Sequence, residues 1–360
     1  MSFFLAFLGF AVLIILHELG HFVAAKAVGM RVERFSLFFP PLLARVRRGE
    51  TEYAIGALPL GGYVKITGMN PAEEIPADVV HRAYYRQPVW KRVVVIAAGP
   101  LVNVLLAFLL LLVFFTAQGP AVAVDTTVDV VNAGSPAAGV LRQGDRIVAV
   151  DGVRGDAARL RDQIGTHRCA GRQADGCTAA KPAALTVVRD GREQALRVAP
   201  RYDAQEKRAL VGFAFRPVYE PQGLVEASGS SVKGMWTVTT TTVDRITALF
   251  YDAEARKDVS GIVGSYEISR QFIKTSSFET VMSIFALISL SLAIINLFPF
   301  LPLDGGHIFW AVAEKLRGRA IPFRTMERAS VVGFVLVLML FAIGLSNDIG
   351  RLNGEGFGVR

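Results

Sequence analysis

The sequence predicts a polytopic α-helical membrane protein with about four transmembrane helices, a small membrane-associated β element and one soluble α/β domain outside the membrane. Three observations predict it. Of the 360 residues 52% are hydrophobic and only 19% are charged, below the roughly 25% of soluble domains. Four stretches, at about 3–28, 93–117, 281–297 and 331–345, have the length and apolarity of membrane spans. Between the second and third lies a long polar stretch, about 122–217, punctuated by turn residues.

These boundaries divide the chain into 1–121, the N-terminal half of a membrane core; 122–217, the soluble domain; 218–280, a linker and membrane-surface segment; and 281–360, the C-terminal half of the core. The net charge of +8 does not signal nucleic acid, since no nucleic-acid motif accompanies it. Arg31, Arg34, Arg45, Arg47, Arg48, Arg82, Arg86, Lys91 and Arg92 gather between spans one and two. Lys315, Arg317, Arg319, Arg324 and Arg328 gather between spans three and four. Both loops therefore read as cytoplasmic, which leaves 122–217 on the other side.

The first span carries His17-Glu18-Leu19-Gly20-His21. On a helix, positions i and i+4 share a face, so His17 and His21 can hold one metal ion together. Glu18 is then the general base of the H-E-x-x-H pattern. The pattern is short enough to arise by chance. Inside an apolar helix it reads differently, because ionisable groups at membrane depth are costly and mark function. The run before it lacks a basic leader, and the motif sits where a signal peptide would be cut, so it reads as an uncleaved span.

In the first loop, 51–69 has short apolar runs broken by Pro59 and Gly61-Gly62, the pattern of a β-hairpin or small sheet. In the second span Gly99-Pro100 and Asn103 interrupt the apolar run. Asn103 either bonds a neighbouring helix or lines a cavity.

The soluble stretch opens with Gly134-Ser135-Pro136-Ala137-Ala138-Gly139-Val140 and continues through Gly144-Asp145-Arg146-Ile147-Val148-Ala149-Val150-Asp151-Gly152. This run resembles a bacterial PDZ domain, and the resemblance implies binding of extended peptides or chain ends by strand addition. Further on, 185–189 and 194–198 flank Asp190-Gly191, a hairpin with a type I′ turn. Cys169 and Cys177 lie between. A disulfide is expected if the region is extracytoplasmic, with two free thiols as the alternative. His167 beside them reads as an ordinary loop residue. From 223 to 277 the chain is weakly amphipathic and reads as lying at the membrane surface, with 260–264 as a turn or close-packing element.

The third span runs into Asn296-Leu297-Phe298-Pro299-Phe300-Leu301-Pro302-Leu303-Asp304-Gly305-Gly306-His307. Two prolines end the helix and place Asp304 on irregular backbone at its foot. Asp304 suits a third metal ligand; two His and one carboxylate leave a fourth position open. His307 is the rival. From residue 3 to His17 is roughly 21 Å of helix, and 281–297 is roughly 24 Å. Four spans run helices one and three in the same direction, so both motifs reach the cytoplasmic half of a core about 30 Å thick.

HELGH at 17–21, GALPLGGYVK at 56–65, AAGPLVN at 97–103, the PDZ-like run and NLFPFLPLDGG at 296–306 follow one another in this order. Together they resemble the site-2 protease family of intramembrane zinc metalloproteases, in its bacterial RseP-like branch, with a single PDZ domain where some relatives carry two. The resemblance implies a multi-pass protein of the bacterial cytoplasmic (inner) membrane that binds one Zn2+ through His17, His21 and Asp304 and uses Glu18 as base. It implies that Asn296 positions substrate or stabilises the oxyanion, and that the strand carrying Gly61, Gly62 and Tyr63 pairs with an unwound substrate. Asn103 joins them as a substrate-positioning candidate. The implied substrates are single-span membrane proteins, either anti-sigma-factor-like regulators or remnant signal peptides. The implied partners besides these are peptide chain ends at the PDZ-like domain and the lipid bilayer. A membrane-anchored PDZ scaffold without proteolysis is the alternative. A metal transporter fits less well, since it would place polar residues along several spans.

Overall fold

The computed structural model describes residues 2–70, 73–204, 206–249, 251–252, 255–256, 278–319 and 321–353. In chain order the elements are α1 (Ser2–Ala27), β1 (Val32–Arg48), β2 (Thr51–Ile66), α2 (Val89–Ala117), β3 (Ala121–Val131), β4 (Arg146–Val150), β5 (Val153–Arg154) and α3 (Ala157–Gly165). Then come β6 (Ala183–Arg189), β7 (Arg192–Val198), β8 (Arg201–Asp203), β9 (Arg208–Leu210), β10 (Phe213–Tyr219), α4 (Leu224–Ala248), α5 (Phe278–Asn296), α6 (Asp304–Arg317) and α7 (Phe323–Asn353). They fall into two compact units: 2–117 with 223–353, and 118–222.

Among the described residues of the first unit, three helices are long and apolar enough to cross a membrane: Phe7–Ala27, Val89–Ala117 and Arg324–Arg351. Thr280–Asn296 is a shorter apolar helix. α1 has no polar face, as expected of a helix surrounded by lipid and other apolar helices. It stops where Gly29, at φ +84°, allows the left-handed turn that closes a helix end. The last apolar helix is longer than the 331–345 expected, because Phe323 already begins it. α4 is one continuous helix that packs on α2 and α5, where Met235 and Val238 meet a cluster of Ala107, Leu290 and Ile294. The 260–264 element expected beyond it lies outside the described residues.

The β element is larger than the 51–69 expected. β1 starts at Val32, and its first arm lies in the middle of the sheet. On one side Arg34 to Leu37 pair with Lys65 to Gly62; on the other they pair with Glu52 to Ile55. The second arm of β1 pairs with the start of β2, Leu42 with Gly56 and Arg48 with Thr51. Phe38 at φ +72° and a cis Pro40-Pro41 bond mark the bend between the arms. The sheet leans along α1: Phe22 packs on Phe35 and Tyr53, and Phe38 meets Phe7 at 6.0 Å. Glu50, in the β1–β2 turn, ties it to Lys26 at 2.6 Å and Arg82 at 2.7 Å.

The second unit is an antiparallel sheet in the order β10-β3-β4-β6-β7, with β5 beside β4. Ile147, Leu160, Leu185, Val187 and Val198 form its buried core with α3, which Asp156 caps by accepting from the Arg159 amide. Asp190 and Gly191 both have positive φ, the requirement of a type I′ turn. Cys169 and Cys177 are bonded, with Cα atoms 6.2 Å apart.

Candidate metal centre and active site

The site begins with two helices that touch closely. His17 and His21 lie on the face of α1 turned to α2 and are 6% and 7% exposed. Small residues permit the approach. A side chain at Gly20 would strike the Ala98 carbonyl, and one at Gly99 would strike the His21 ring.

Asp304 arrives from α6. The expectation of irregular backbone is corrected: the irregular stretch is 297–303, and Asp304 is the first residue of a helix. The reason lies in Gly305 and Gly306, which leave room for the Leu297, Phe298 and Phe300 carbonyls to fold over the first turn. Local turns satisfy the backbone released by the prolines, with Leu303 N donating to Phe300 O and Gly306 N to Leu303 O.

Three atoms then converge. His17 Nε2 and His21 Nε2 are 3.3 Å apart, and Asp304 Oδ2 lies 3.3 Å from each. Asp304 Oδ2 is buried and makes no hydrogen bond among the described residues. Donors held at 2.0–2.1 Å around a tetrahedral ion stand about 3.3 Å apart, so the triangle fits one zinc-sized ion and leaves its fourth side open. Three electron-rich atoms facing one another need a cation between them.

α2 orients both rings. His21 Nδ1 donates to the Val95 carbonyl at 2.9 Å, which leaves the Nε2 lone pair free to face the triangle. Behind His17, Asn103 is fully buried, with Nδ2 3.1 Å from Nδ1 and Oδ1 without a partner. A half-turn of that amide lets Oδ1 accept the Nδ1 proton and gives His17 the same tautomer. Asn103 thus sits at the back of a ring rather than in open space, and Ser289 Oγ binds its backbone carbonyl at 2.9 Å.

Glu18 is half-buried on the next face of α1, against the edge of the sheet. A side chain at Gly62 would come within 2.8 Å of Glu18 Cγ. The 62–66 arm pairs on one side with β1; among the described residues its other side has no strand. Tyr63 accepts from Arg34 Nη1 at 3.1 Å and stacks on Phe39, whose ring also meets Gly61. Asn296 ends α5, half-buried. His307 is not among the converging atoms and lines a cavity of about 420 Å3 with Met69, Leu301, Pro302, Met326 and Phe334. Sequence reasoning missed the Val95 carbonyl, which has no side-chain signal. It also missed the clearance roles of Gly20 and Gly99, for which a glycine inside an apolar helix was the available clue.

The model of Peptidase family M50 matches residues 5–340. A Brucella suis protein named for a zinc metalloprotease is 30% identical over 94% of this chain and 92% of its own. One from Nostoc is 32% identical over 92% and 91%. One from Clostridium acetobutylicum is 28% identical over 97% and 98%. With three helices able to span a bilayer, a buried His-His-Asp triangle and this match along nearly its whole length, the chain belongs to peptidase family M50, the site-2 proteases, and is a membrane-embedded zinc metalloprotease.

Proposed function

We propose that this enzyme cleaves the transmembrane segments of single-span membrane proteins, anti-sigma-factor-like regulators or remnant signal peptides, in regulated intramembrane proteolysis. The observation that carries the reading is the Gly62 strand edge lying against Glu18, beside the His17, His21 and Asp304 triangle. A helical substrate hides its peptide bonds in its own hydrogen bonds. Once unwound, its backbone needs partners in a place without water, and an unpaired strand edge supplies them. Gly61, Gly62 and Tyr63 would then hold the chain, with Asn296 near the reacting carbonyl.

His17, His21 and Asp304 would hold the ion. Zinc supplies Lewis acidity toward the scissile carbonyl and toward water. Glu18 takes the proton of the attacking water and passes it to the leaving amide nitrogen. Asn103 fixes the tautomer and angle of His17, an orienting role in place of substrate positioning.

Thr280–Asn296 serves as a fourth, short span, so the protein is multi-pass in the bacterial inner membrane with its site in the cytoplasmic half. Unit 118–222 acts as a single extracytoplasmic PDZ-like domain. Among the described residues β10 pairs with β3 alone, and Arg161 of α3 lies over its Phe215 ring at 5.5 Å, so the free side of an edge strand next to a helix would receive a peptide chain end by strand addition.

The test is cleavage of a single-span protein by purified, reconstituted enzyme beside its Glu18→Gln variant. Cutting inside the apolar segment by wild type, reduced at least about 100-fold in the variant, is expected. Equal cutting by both would remove Glu18 from the chemistry.

A further inference from the structure

The ligand atoms come from two helices with no extensive packing between them among the described residues: α1 brings two, α6 the third. α2 is the element that packs on both. It holds α1 through Gly20 on Ala98, Gly99 on His21 and the Val95 carbonyl on His21 Nδ1. Its hold on α6 is different in kind. Arg92, 8% exposed, grips Glu314 with both Nη atoms, at 2.8 and 3.1 Å. The Tyr84 ring lies 5.9 Å beneath the guanidinium. Ile308 of α6 packs on the cluster that contains Tyr84, Val95 and Ile96. Arg92 stands one helical turn before Val95, and Glu314 stands about 15 Å along α6 from Asp304.

We propose that the Arg92–Glu314 pair is a positioning device for the metal centre. It locks α6 to the same turn of α2 that orients His21, and so sets the distance at which the Asp304 carboxylate meets the two rings. A planar fork binding a carboxylate at two points fixes direction as well as distance, which a single-point contact does not. Neither residue touches the reacting atoms; both act through Asp304. The inference rests on the reading of His17, His21 and Asp304 as the zinc ligands.

The test measures zinc release to a chelator from the full-length, detergent-purified protein. Wild type is compared with Asp304→Ala, Arg92→Met, Arg92→Lys, Glu314→Gln and the exchange Arg92→Glu with Glu314→Arg. Release is read at a temperature where circular dichroism shows every variant compared to be folded. Arg92→Lys and Glu314→Gln serve where Arg92→Met does not fold. Zinc held by wild type and lost from Asp304→Ala establishes the ligand set by itself; zinc equally firm in Asp304→Ala overturns that set, and the device with it. Given the set, Arg92→Met and Glu314→Gln should release zinc about 10- to 100-fold faster, the range typical of changes to groups behind a ligand. Arg92→Lys should fall between, and the exchange should recover most of the loss. Unchanged release in the folded single variants, or an exchange variant no better than they are, overturns the positioning role and leaves the ligand set standing.

Discussion

The chain builds two sheets, and they are stabilised in opposite ways. The sheet of 118–222 owns a core: Val128, Ile147, Leu185, Val187 and Val198 are buried under it with Leu160 of α3. The sheet of 32–66 has little core of its own: Leu43 and Val46 of β1 and Ile55 and Leu58 of β2 are exposed. It borrows support from α1 through Phe22 and Phe7 and from the ion pairs of Glu50. A sheet with its own core keeps its shape whatever it binds. A sheet propped on a helix takes its position from that helix, and this one is thereby laid against Glu18.

The dependence of the 32–66 sheet on α1 is most exposed at Gly62. Gly62→Val must displace Glu18 or the Ser36 carbonyl, which lie 2.8 and 3.0 Å from the added carbon. Cleavage should fall about 100-fold, as small misplacements at a site do. Zinc content and the protease resistance of 118–222 should stay as in wild type. Leu185→Ala is the reciprocal change. It should destabilise 118–222 by about 2–5 kcal/mol. Limited proteolysis would then open that unit while zinc is retained; loss of zinc would show that the two sheets are not independent.

Acid weakens both anchors. Arg189 holds the buried Asp145 carboxyl below its usual range, helped by the Arg142 amide. Arg82, then Lys26, holds Glu50 down to about 2, against the opposing effect of burial. Both folded values are lowered, so both pairs contribute fully above the ordinary carboxylate range of about 4 and lose their contribution as pH falls through it. For Glu50 the loss continues down to about 2. Hydrogen exchange should show both regions unchanged from pH 7 to about 5; a loosening of either near pH 6 would contradict these partners. The smallest effect is expected at Cys169–Cys177, which closes a short loop at the rim of 118–222. Alkylation should need prior reduction, and Cys169→Ala should leave cleavage of the test protein within about twofold, in keeping with the small effects usual away from buried features.

Much of the site was legible. His17, Glu18 and His21 stand in one helical turn, and Asp190-Gly191 dictates its own hairpin turn; both are local patterns. The larger sheet was not legible, because the alternation that marks a strand is interrupted by Phe38 and Pro40-Pro41, and because an arm paired on both sides leaves no local trace. Arg92 was legible only as one positive charge among many near a membrane boundary. Nothing in its surroundings along the chain announces Glu314.

Short-range patterns along the chain set the apolar helices, the shared α1 face of His17 and His21 and the turn chemistry of 118–222, because periodicity and turn preference are properties of neighbouring residues. Only the tertiary structure decided that Asp304 opens a helix, that Asn103 faces the back of His17, that Gly62 passes Glu18 and that Arg92 clamps α6. Each of these joins residues far apart in the chain: the helix start at Asp304 and the passage of Gly62 rest on close backbone approach at glycines, and the placing of Asn103 and Arg92 rests on buried polar contacts between elements.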